Sequence, residues 1–395
     1  MKVTFVSNYI NHHQIPLSNV LYEHLGEEYT FIQTEPMEEE RIKLGWNPTD
    51  VPVYVKYAYE EPQVCKQLVM ESDVVIWGGL EDETMLQPRL AAKKPVIRYS
   101  ERLYKTGQWK AVSPRGLRKK YFDHTQYRKE AVYLLCAGAY VASDFHIVRA
   151  YPGKMFKWGY FPQCKEYDVD SLMEGKCRAE REANVGEAAP RTEILWAARF
   201  IDWKHPELVV ALAECLAKER DDFHITMIGG GELKDATQAL IQEKQLEGYI
   251  TLAGTQTPSQ VREAMEKAPI FLMTSDRQEG WGAVMNEAMN SGCAVIADRM
   301  EGAAPYLIEQ GVNGFAYREA KPEVLAELIK PLLDSKEQCE QIGRKAYETI
   351  TKLWNAGVAA ERLLHICEDV AAGREPQIIW ETGPCSKAEV IKERS

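Results

Sequence analysis

The sequence predicts an α/β protein of two domains, each built on a parallel sheet with helices on both faces, the two facing each other across a cleft. Three observations predict it. The chain has 395 residues, enough for two domains of ordinary size with a core in each. Strand-length apolar segments alternate with helical or irregular ones, as parallel sheets require, since each crossover must run over a face. The alternation stops once, at 173–191, and then resumes.

The first series places strands at Val3–Val6, Tyr29–Ile32, Val74–Trp77, Val96–Tyr99 and Ala139–Ala142. From Met173 to Arg191 the chain is charged, rich in small residues, and ends in Ala-Ala-Pro-Arg, without apolar periodicity. The expected division is therefore a first domain at 1–172, a linker at 173–191 and a second domain at 192–355. The second series places strands at Ile194–Ala198, Ile225–Ile228, Ile250–Ala253, Ile270–Met273 and Ala294–Ala297. Residues 356–395 are left as a C-terminal helix and a polar tail interrupted by Pro376 and Pro384. That tail either straps back onto the first domain or is loose. In such sheets ligands bind beyond the carboxyl ends of the strands.

Composition narrows the function classes. The formal charge is −11 and no recognition motif for nucleic acid is present, so nucleic acid is not expected as a partner. Nine cysteines are scattered, odd in number and never spaced Cys-x-x-Cys. That favours reduced thiols in a cytosol over a disulfide framework or a zinc site. The start, Met1-Lys-Val-Thr-Phe-Val-Ser-Asn, lacks the apolar core of a signal peptide. The longest apolar run, Ala131 to Ala142, is twelve residues, too short to span a bilayer. A cytoplasmic protein is expected.

The most informative stretch is Ser275-Asp-Arg-Gln-Glu279-Gly-Trp-Gly282-Ala-Val-Met-Asn-Glu287-Ala-Met-Asn-Ser-Gly292. It follows the strand Ile270–Met273 and leads into a helix marked by Val284, Ala288 and Met289. Gly280 and Gly282 let backbone approach a ligand without a Cβ in the way. The helix start aims free N–H groups at the same place, which suits a phosphate or a dense set of hydroxyls. Glu279 precedes the helix and Glu287 lies about a turn and a half inside it. They are therefore expected to grip different ends of one long ligand rather than form an acid/base dyad. Either glutamate alone would read as an ordinary surface or N-terminal charge; the whole combination in register does not.

A second group follows the strand Ile194–Ala198: Arg199-Phe-Ile-Asp-Trp-Lys204-His-Pro206-Glu207. Proline marks the start of the next helix. A guanidinium fork and an ammonium beside a helix N-terminus would hold a diphosphate well. Gly229-Gly-Gly231 follows the next strand, and is read as a structural turn rather than a dinucleotide fingerprint.

With its two glutamates so spaced, the chain resembles the retaining, GT-B-fold glycosyltransferases of family 4, the glycosyl transferases group 1. The resemblance is strong from about Glu193 to Tyr317 and weaker before. It implies the GT-B fold: two Rossmann-like α/β/α domains facing each other across a cleft. It implies that Glu279 lies against the donor sugar and Glu287 on the nucleotide ribose. Ser275, Gly280, Trp281 and Gly282 would complete the donor site, with Thr255 in Gly254-Thr-Gln256 near the base. Arg199 and Lys204 would stabilise the diphosphate as the sugar leaves, so no metal or other cofactor is implied. The chain departs from the family at His205, where glycine is usual.

The first domain is expected to bind the acceptor. Its opening loop holds Asn8, His12 and His13. No carboxylate or cysteine stands at ligand spacing for a metal, which leaves hydrogen bonding to substrate or capping of the next helix. The family often carries a histidine after the strand Val96–Tyr99, whereas this chain has Ser100-Glu101-Arg102. Ser100 or Glu101 would take that neighbourhood, and Arg102 could meet an anionic acceptor group. Between Arg98 and Glu130 ten basic residues face three acidic ones, with Tyr104, Trp109, Tyr121 and Phe122 interleaved. This is either a solvated helix face or a patch for an anionic membrane surface. Asp168-Val-Asp170 matches a metal-binding Asp-x-Asp pattern, but reads better as a loop with Asp170 capping the next helix.

The reaction these residues imply is transfer of a hexosyl unit, with retention, from a UDP- or GDP-linked sugar to a hydroxyl of a carbohydrate or lipid-linked acceptor. The setting by resemblance is bacterial surface polysaccharide or glycolipid synthesis, at the inner face of the membrane. Two alternatives share the architecture: a nucleotide-sugar epimerase and a noncatalytic sugar-nucleotide-binding protein.

Overall fold

A computed structural model describes residues 1–39, 50–108, 111, 113–183 and 191–391. The chain divides into two compact units, one of residues 1–163 with 354–395 and one of residues 164–353.

The first unit carries a seven-stranded, all-parallel sheet of β1 (Val3–Ser7), β2 (Tyr29–Gln33), β3 (Val55–Tyr57), β4 (Val74–Trp77), β5 (Val96–Ser100), β6 (Val132–Ala137) and β7 (Met155–Trp158), ordered β3-β2-β1-β4-β5-β6-β7. β1, β4 and β6 are buried along their whole length. Such a strand, covered on both faces, reads as a continuous apolar run. The helix Ile15–Leu25 packs against the C-terminal helix Ala356–Ala371 within this unit. The tail beyond it forms a strap: Phe156 in β7 bridges antiparallel to Lys387, and Ser143 Oγ donates to the Ile391 carbonyl at 2.6 Å.

The second unit carries a six-stranded parallel sheet of β8 (Thr192–Ala197), β9 (Phe223–Ile228), β10 (Ile250–Gly254), β11 (Ile270–Met273), β12 (Ala294–Asp298) and β13 (Gly314–Tyr317), ordered β10-β9-β8-β11-β12-β13. In both units the strand order reverses beside the first strand, between β1 and β4 and between β8 and β11. A reversal splays the adjoining loops apart at the carboxyl edge and makes the crevice where doubly wound sheets bind ligands.

Three expectations are corrected. The strand placed at Ala139–Ala142 lies at Val132–Ala137, and Val141 and Ala142 open a helix, Val141–Ile147. Gly138, at φ 124°, takes a conformation that ends the extended run. The linker placed at 173–191 begins inside the helix Val169–Ala183 of the second unit; its residues 184–190 lie outside the described ones. Asp168 precedes that helix and accepts from Ser171 Oγ at 2.6 Å. Asp170, expected as the cap, lies in the first turn and pairs with Arg344 at 2.6 Å.

Candidate active site

In the second unit, strand order brings the carboxyl-edge loops of β8 and β11 side by side. Hydrogen bonds fix them together: Trp196 Nε1 donates to Thr274 Oγ1 at 2.9 Å and Asp276 N to the Trp203 carbonyl at 3.0 Å.

The β8 loop turns through a short 3-10 segment, Asp202–Lys204, and then through His205 at φ 48°, ψ 56° before the helix Pro206–Ala217. This left-handed conformation is the one glycine adopts freely, which accounts for the family's preference there. Histidine is among the side chains that tolerate it, and here the ring gains two partners. Nδ1 lies 2.9 Å from Glu207 and Nε2 3.3 Å from Asp276. Hydrogen bonding to Asp276, then to Glu207, pushes the imidazole up to about 10. The ring is thus a cation donating from both nitrogens. Burial alone would raise the Asp276 carboxyl, but hydrogen bonds from His205 and Gln278 together hold it below the usual range.

Lys204 points inward, its side chain 11% exposed. Its ammonium forms an ion pair with Glu279 and donates to Ser275 Oγ at 3.2 Å. Residues singled out from two separate segments, Lys204 from one and Ser275 and Glu279 from the other, therefore meet at one point. An ammonium has three protons; these contacts use two. Arg199 is exposed and lies over the Trp203 ring at 5.7 Å. Thr255 is exposed beyond β10, and a Cβ on Gly230 would come within 2.7 Å of its hydroxyl. Gly229 is structural, since a Cβ there would lie 1.9 Å from the Ala198 carbonyl.

Gly282, at φ 85°, precedes the helix Ala283–Asn290, in which Glu287 is placed as expected. Burial pushes the Glu287 carboxyl up, against the opposing charge of Arg262. Trp281 differs from expectation. Its ring is fully buried, with Nε1 donating to Asn286 at 2.8 Å, so the side chain anchors the loop from inside instead of facing a ligand.

The β12 loop supplies a residue the sequence reading missed. Gly302 N donates to the Glu279 carbonyl at 3.3 Å and Ala303 N to the Trp281 carbonyl at 3.1 Å. This lashing holds Glu301 beside Glu279 and Lys204, fully buried, with neither carboxyl oxygen hydrogen-bonded. Burial, then the Glu279 charge, drives its carboxyl far above the usual range, with Lys204 opposing. The available signal was an acid before a glycine just past the fifth strand of the series.

In the first unit, Ser100 ends β5 and donates to the Glu101 carbonyl at 2.8 Å. Glu101 takes hydrogen bonds from Tyr160 and Lys105, each at 2.6 Å. His13 packs 6.1 Å from the Tyr160 ring and 3.8 Å from His12. Burial, then the neighbouring His12, pushes His13 down to about 3, so it is a neutral imidazole. The helix Ile15–Leu25 receives no side-chain hydrogen bond from its N-cap Gln14, and His13 N donates to Asn11 Oδ1 at 2.9 Å. Asn8 braces β1's exit, its carbonyl accepting from Glu35 N at 2.9 Å. Arg102 corrects an expectation: its side chain is 0% exposed and pairs with the equally buried Asp144 at 3.3 Å. An interior ion pair cannot greet an acceptor.

The basic segment is also narrower than its sequence. Arg98 is interior, paired with Glu83, while Arg115, Arg118 and Lys119 are exposed on the helix Pro114–Asp123. Leu117, Tyr121 and Phe122 of the same helix are exposed too. Trp109 and Lys110 lie outside the described residues. Among the described residues no group of His, Cys, Asp and Glu is placed to hold a metal ion, and no helix is long and apolar enough to cross a membrane.

Comparison with known proteins places this geometry. The family model for glycosyl transferases group 1 matches residues 178–349. The amylovoran biosynthesis glycosyltransferase AmsK of Erwinia amylovora is 26% identical over 183 residues, 45% of each chain. The poly(ribitol-phosphate) alpha-N-acetylglucosaminyltransferase of Staphylococcus aureus is 26% identical over 170 residues, 43% of this chain and 34% of that one. The chain thus spans less than half the length of these curated relatives. Anabaena Alr3699/HepE, crystallised with UDP, superposes with a TM-score of 0.69 at 15% identity, over 93% of this chain and 100% of that one. The pneumococcal O-GlcNAc transferase GtfA, with UDP and GlcNAc, gives 0.67 at 12% identity, over 94% and 99%. At such identities the likeness shows the fold, and the fold is GT-B.

Proposed function

The chain belongs, through residues 178–349, to the glycosyl transferases group 1 family, and from that premise we propose that it moves a hexosyl unit from a nucleotide-diphosphate sugar to an acceptor hydroxyl with retention at the anomeric carbon. The observation that carries this reading is the meeting of Lys204, Ser275 and Glu279 at the reversal point of the second sheet. As the glycosidic bond to the donor breaks, negative charge grows on the diphosphate and positive charge on the sugar. Lys204, with one proton unused, and the exposed Arg199 neutralise the phosphates. Charges already in place need no reorganisation when the bond breaks, which makes this the largest catalytic contribution. Glu279 faces the sugar and Glu287 the ribose hydroxyls. The leaving phosphate oxygen takes the acceptor's proton, so a separate general base is not required, nor is a metal.

UDP is the favoured nucleotide, supported by its presence in the HepE and GtfA structures; a GDP-linked donor is the other arm of the test. A surface-polysaccharide or glycolipid acceptor is supported by the names of the relatives from Erwinia amylovora and Staphylococcus aureus. The first unit's cluster of Ser100, Glu101, His13 and Tyr160 is the acceptor-side group, and the exposed basic and aromatic face of the helix Pro114–Asp123 rests on an anionic membrane.

The test is thermal stabilisation by UDP-, GDP-, ADP- and TDP-linked sugars without added metal, on wild type and Glu287→Ala, followed by assay of nucleotide release with acceptor. A rise of several degrees with one nucleotide series, lost in the variant, supports the donor site. No response to any of them overturns it. Product formed without an acceptor would favour an epimerase instead.

A further inference from the structure

Glu301 is the one fully buried carboxyl group beside the Lys204–Glu279 pair, and both of its oxygens are unpartnered. A buried polar group left without a hydrogen bond costs free energy and is rare in native proteins. Its position is nonetheless tightly imposed. The β12 loop is lashed to the β11 loop by backbone hydrogen bonds, and a Cβ on Gly302 would lie 1.7 Å from the Gly280 carbonyl oxygen. A Cβ on Gly282 would lie 2.0 Å from Glu301 Oε1. The acid therefore fills the space that residue 282 leaves empty, beside the start of the Ala283–Asn290 helix.

We propose that Glu301 is a sugar-contacting residue of the donor site, its carboxyl group exchanging hydrogen bonds with a ring hydroxyl and so selecting donors by their hydroxyl pattern. This rests on the donor-site reading given above. The chemistry favours a hydroxyl over the other parts of a donor. An ionised carboxylate repels a phosphate and a protonated one can only donate to it, whereas a hydroxyl donates to the first form and accepts from the second. That match holds whether the carboxyl is protonated or not. Lys204 donates to Glu279 and Ser275, and neither Glu301 oxygen takes its third proton. The side chains of Lys204 and Glu279 keep 11% and 20% exposure while Glu301 has none. Contact between a sugar and Glu301 therefore requires the Lys204–Glu279 pair to open.

The test compares affinities of wild type, Glu301→Ala and Glu301→Gln for UDP, UDP-glucose, UDP-galactose, UDP-N-acetylglucosamine, GDP and GDP-mannose by calorimetry. In Glu301→Ala, the sugar-linked nucleotide that wild type prefers should bind about tenfold or more weakly, as for a lost hydrogen bond to an acid, while the free nucleotide binds within about twofold, which also shows that the variant is folded. Should Glu301→Ala not fold, Glu301→Gln keeps the shape and should change the ranking among the UDP-sugars. An unchanged ranking in Glu301→Gln, or equal loss of nucleotide and nucleotide sugar in Glu301→Ala, overturns the proposal. Wild type that binds none of the six, and no ADP- or TDP-linked sugar either, overturns the donor-site reading itself, and this inference with it.

Discussion

The Lys204 ammonium and the Glu279 carboxylate, 75 positions apart in the chain, form one ion pair at the carboxyl edge of the second sheet. Each was singled out for a separate task, the phosphates and the sugar, and each is the other's partner in the unliganded protein. The pair links their fates in mutagenesis.

Lys204→Ala should lower transfer about a hundredfold or more by removing charge stabilisation of the leaving group. It should also cost about 2 kcal/mol of stability, between the figures for exposed and fully buried pairs, since Glu279 loses its partner. The double variant Lys204→Ala/Glu279→Ala should regain part of that stability and none of the activity. Urea denaturation and a nucleotide-release assay on the four proteins separate the two effects. Near-normal turnover by either single variant would sink the assignment.

The His205 imidazole makes stability depend on pH with a definite sign. Its value in the folded protein is about 10, against an ordinary value of about 6.5 in the unfolded chain. A raised value means the folded state binds the proton more tightly. The contribution is therefore complete below about pH 6.5 and fades as pH rises towards 10. Its partners Asp276 and Glu207 are both held low, so the same contacts weaken again in acid as those carboxylates protonate. His205→Asn tolerates the left-handed backbone but carries no such proton. The stability difference between wild type and this variant should be largest near pH 5–6.5 and shrink by pH 10. A flat difference in urea titrations across that range would rule the linkage out.

How much of this was legible follows from what each signal depends on. β4 at Val74–Trp77 and β11 at Ile270–Met273 are legible to the residue, because four apolar residues in a row, ended by glycine after Trp77 and begun after proline at Ile270, fit a doubly covered strand. β3, β7 and β13 were missed: Val55-Lys-Tyr57 is only half-buried, Met155-Phe-Lys-Trp158 is interrupted by a lysine and Gly314-Phe-Ala-Tyr317 starts on glycine, so none carries the apolar run. Lys204 and Glu279 were legible because chemistry and spacing mark them along one strand-loop-helix segment each. The burial of Arg102 was not, since its partner Asp144 becomes a neighbour only through the fold; nor was that of Trp281, whose partner Asn286 is close in sequence but whose ring is enclosed only by the packed loop. Glu301 escaped for the same reason: one acid in a loop carries no weight until the lashing of two loops shows that it is buried.

Gly282→Ala meets two obstacles, the backbone at φ 85° and the Glu301 oxygen 2.0 Å from the new Cβ. Left-handed backbone costs about 1 kcal/mol for a non-glycine residue and overpacking typically about 1–3 more. The substitution should therefore cost about 3 kcal/mol in wild type and only about 1 kcal/mol when made in Glu301→Ala, where the obstructing oxygen is gone. Denaturation of the four proteins in this cycle measures the coupling. Strict additivity would mean that Glu301 does not occupy the space beside Gly282.

The helix Pro114–Asp123 presents Arg115, Arg118 and Lys119 together with Leu117, Tyr121 and Phe122, the last two 53% and 50% exposed. Exposed cations alone are an ordinary solvated face. Half-exposed aromatics on the same short helix are less easily explained that way, since each would gain by leaving water. At an anionic bilayer each cation adds on the order of 1 kcal/mol, and burying an aromatic side chain fully adds about 1.5–3 kcal/mol. The sum is enough for weak, reversible docking without a membrane anchor. The protein should therefore sediment with vesicles rich in phosphatidylglycerol and hardly at all with phosphatidylcholine alone. Binding should fall as salt shortens the reach of the charges. Tyr121→Ser/Phe122→Ser should weaken it at every salt concentration, whereas Arg118→Gln/Lys119→Gln should flatten the salt dependence. If both pairs of substitutions leave sedimentation unchanged, this helix is a solvated face and the acceptor reaches the enzyme from solution.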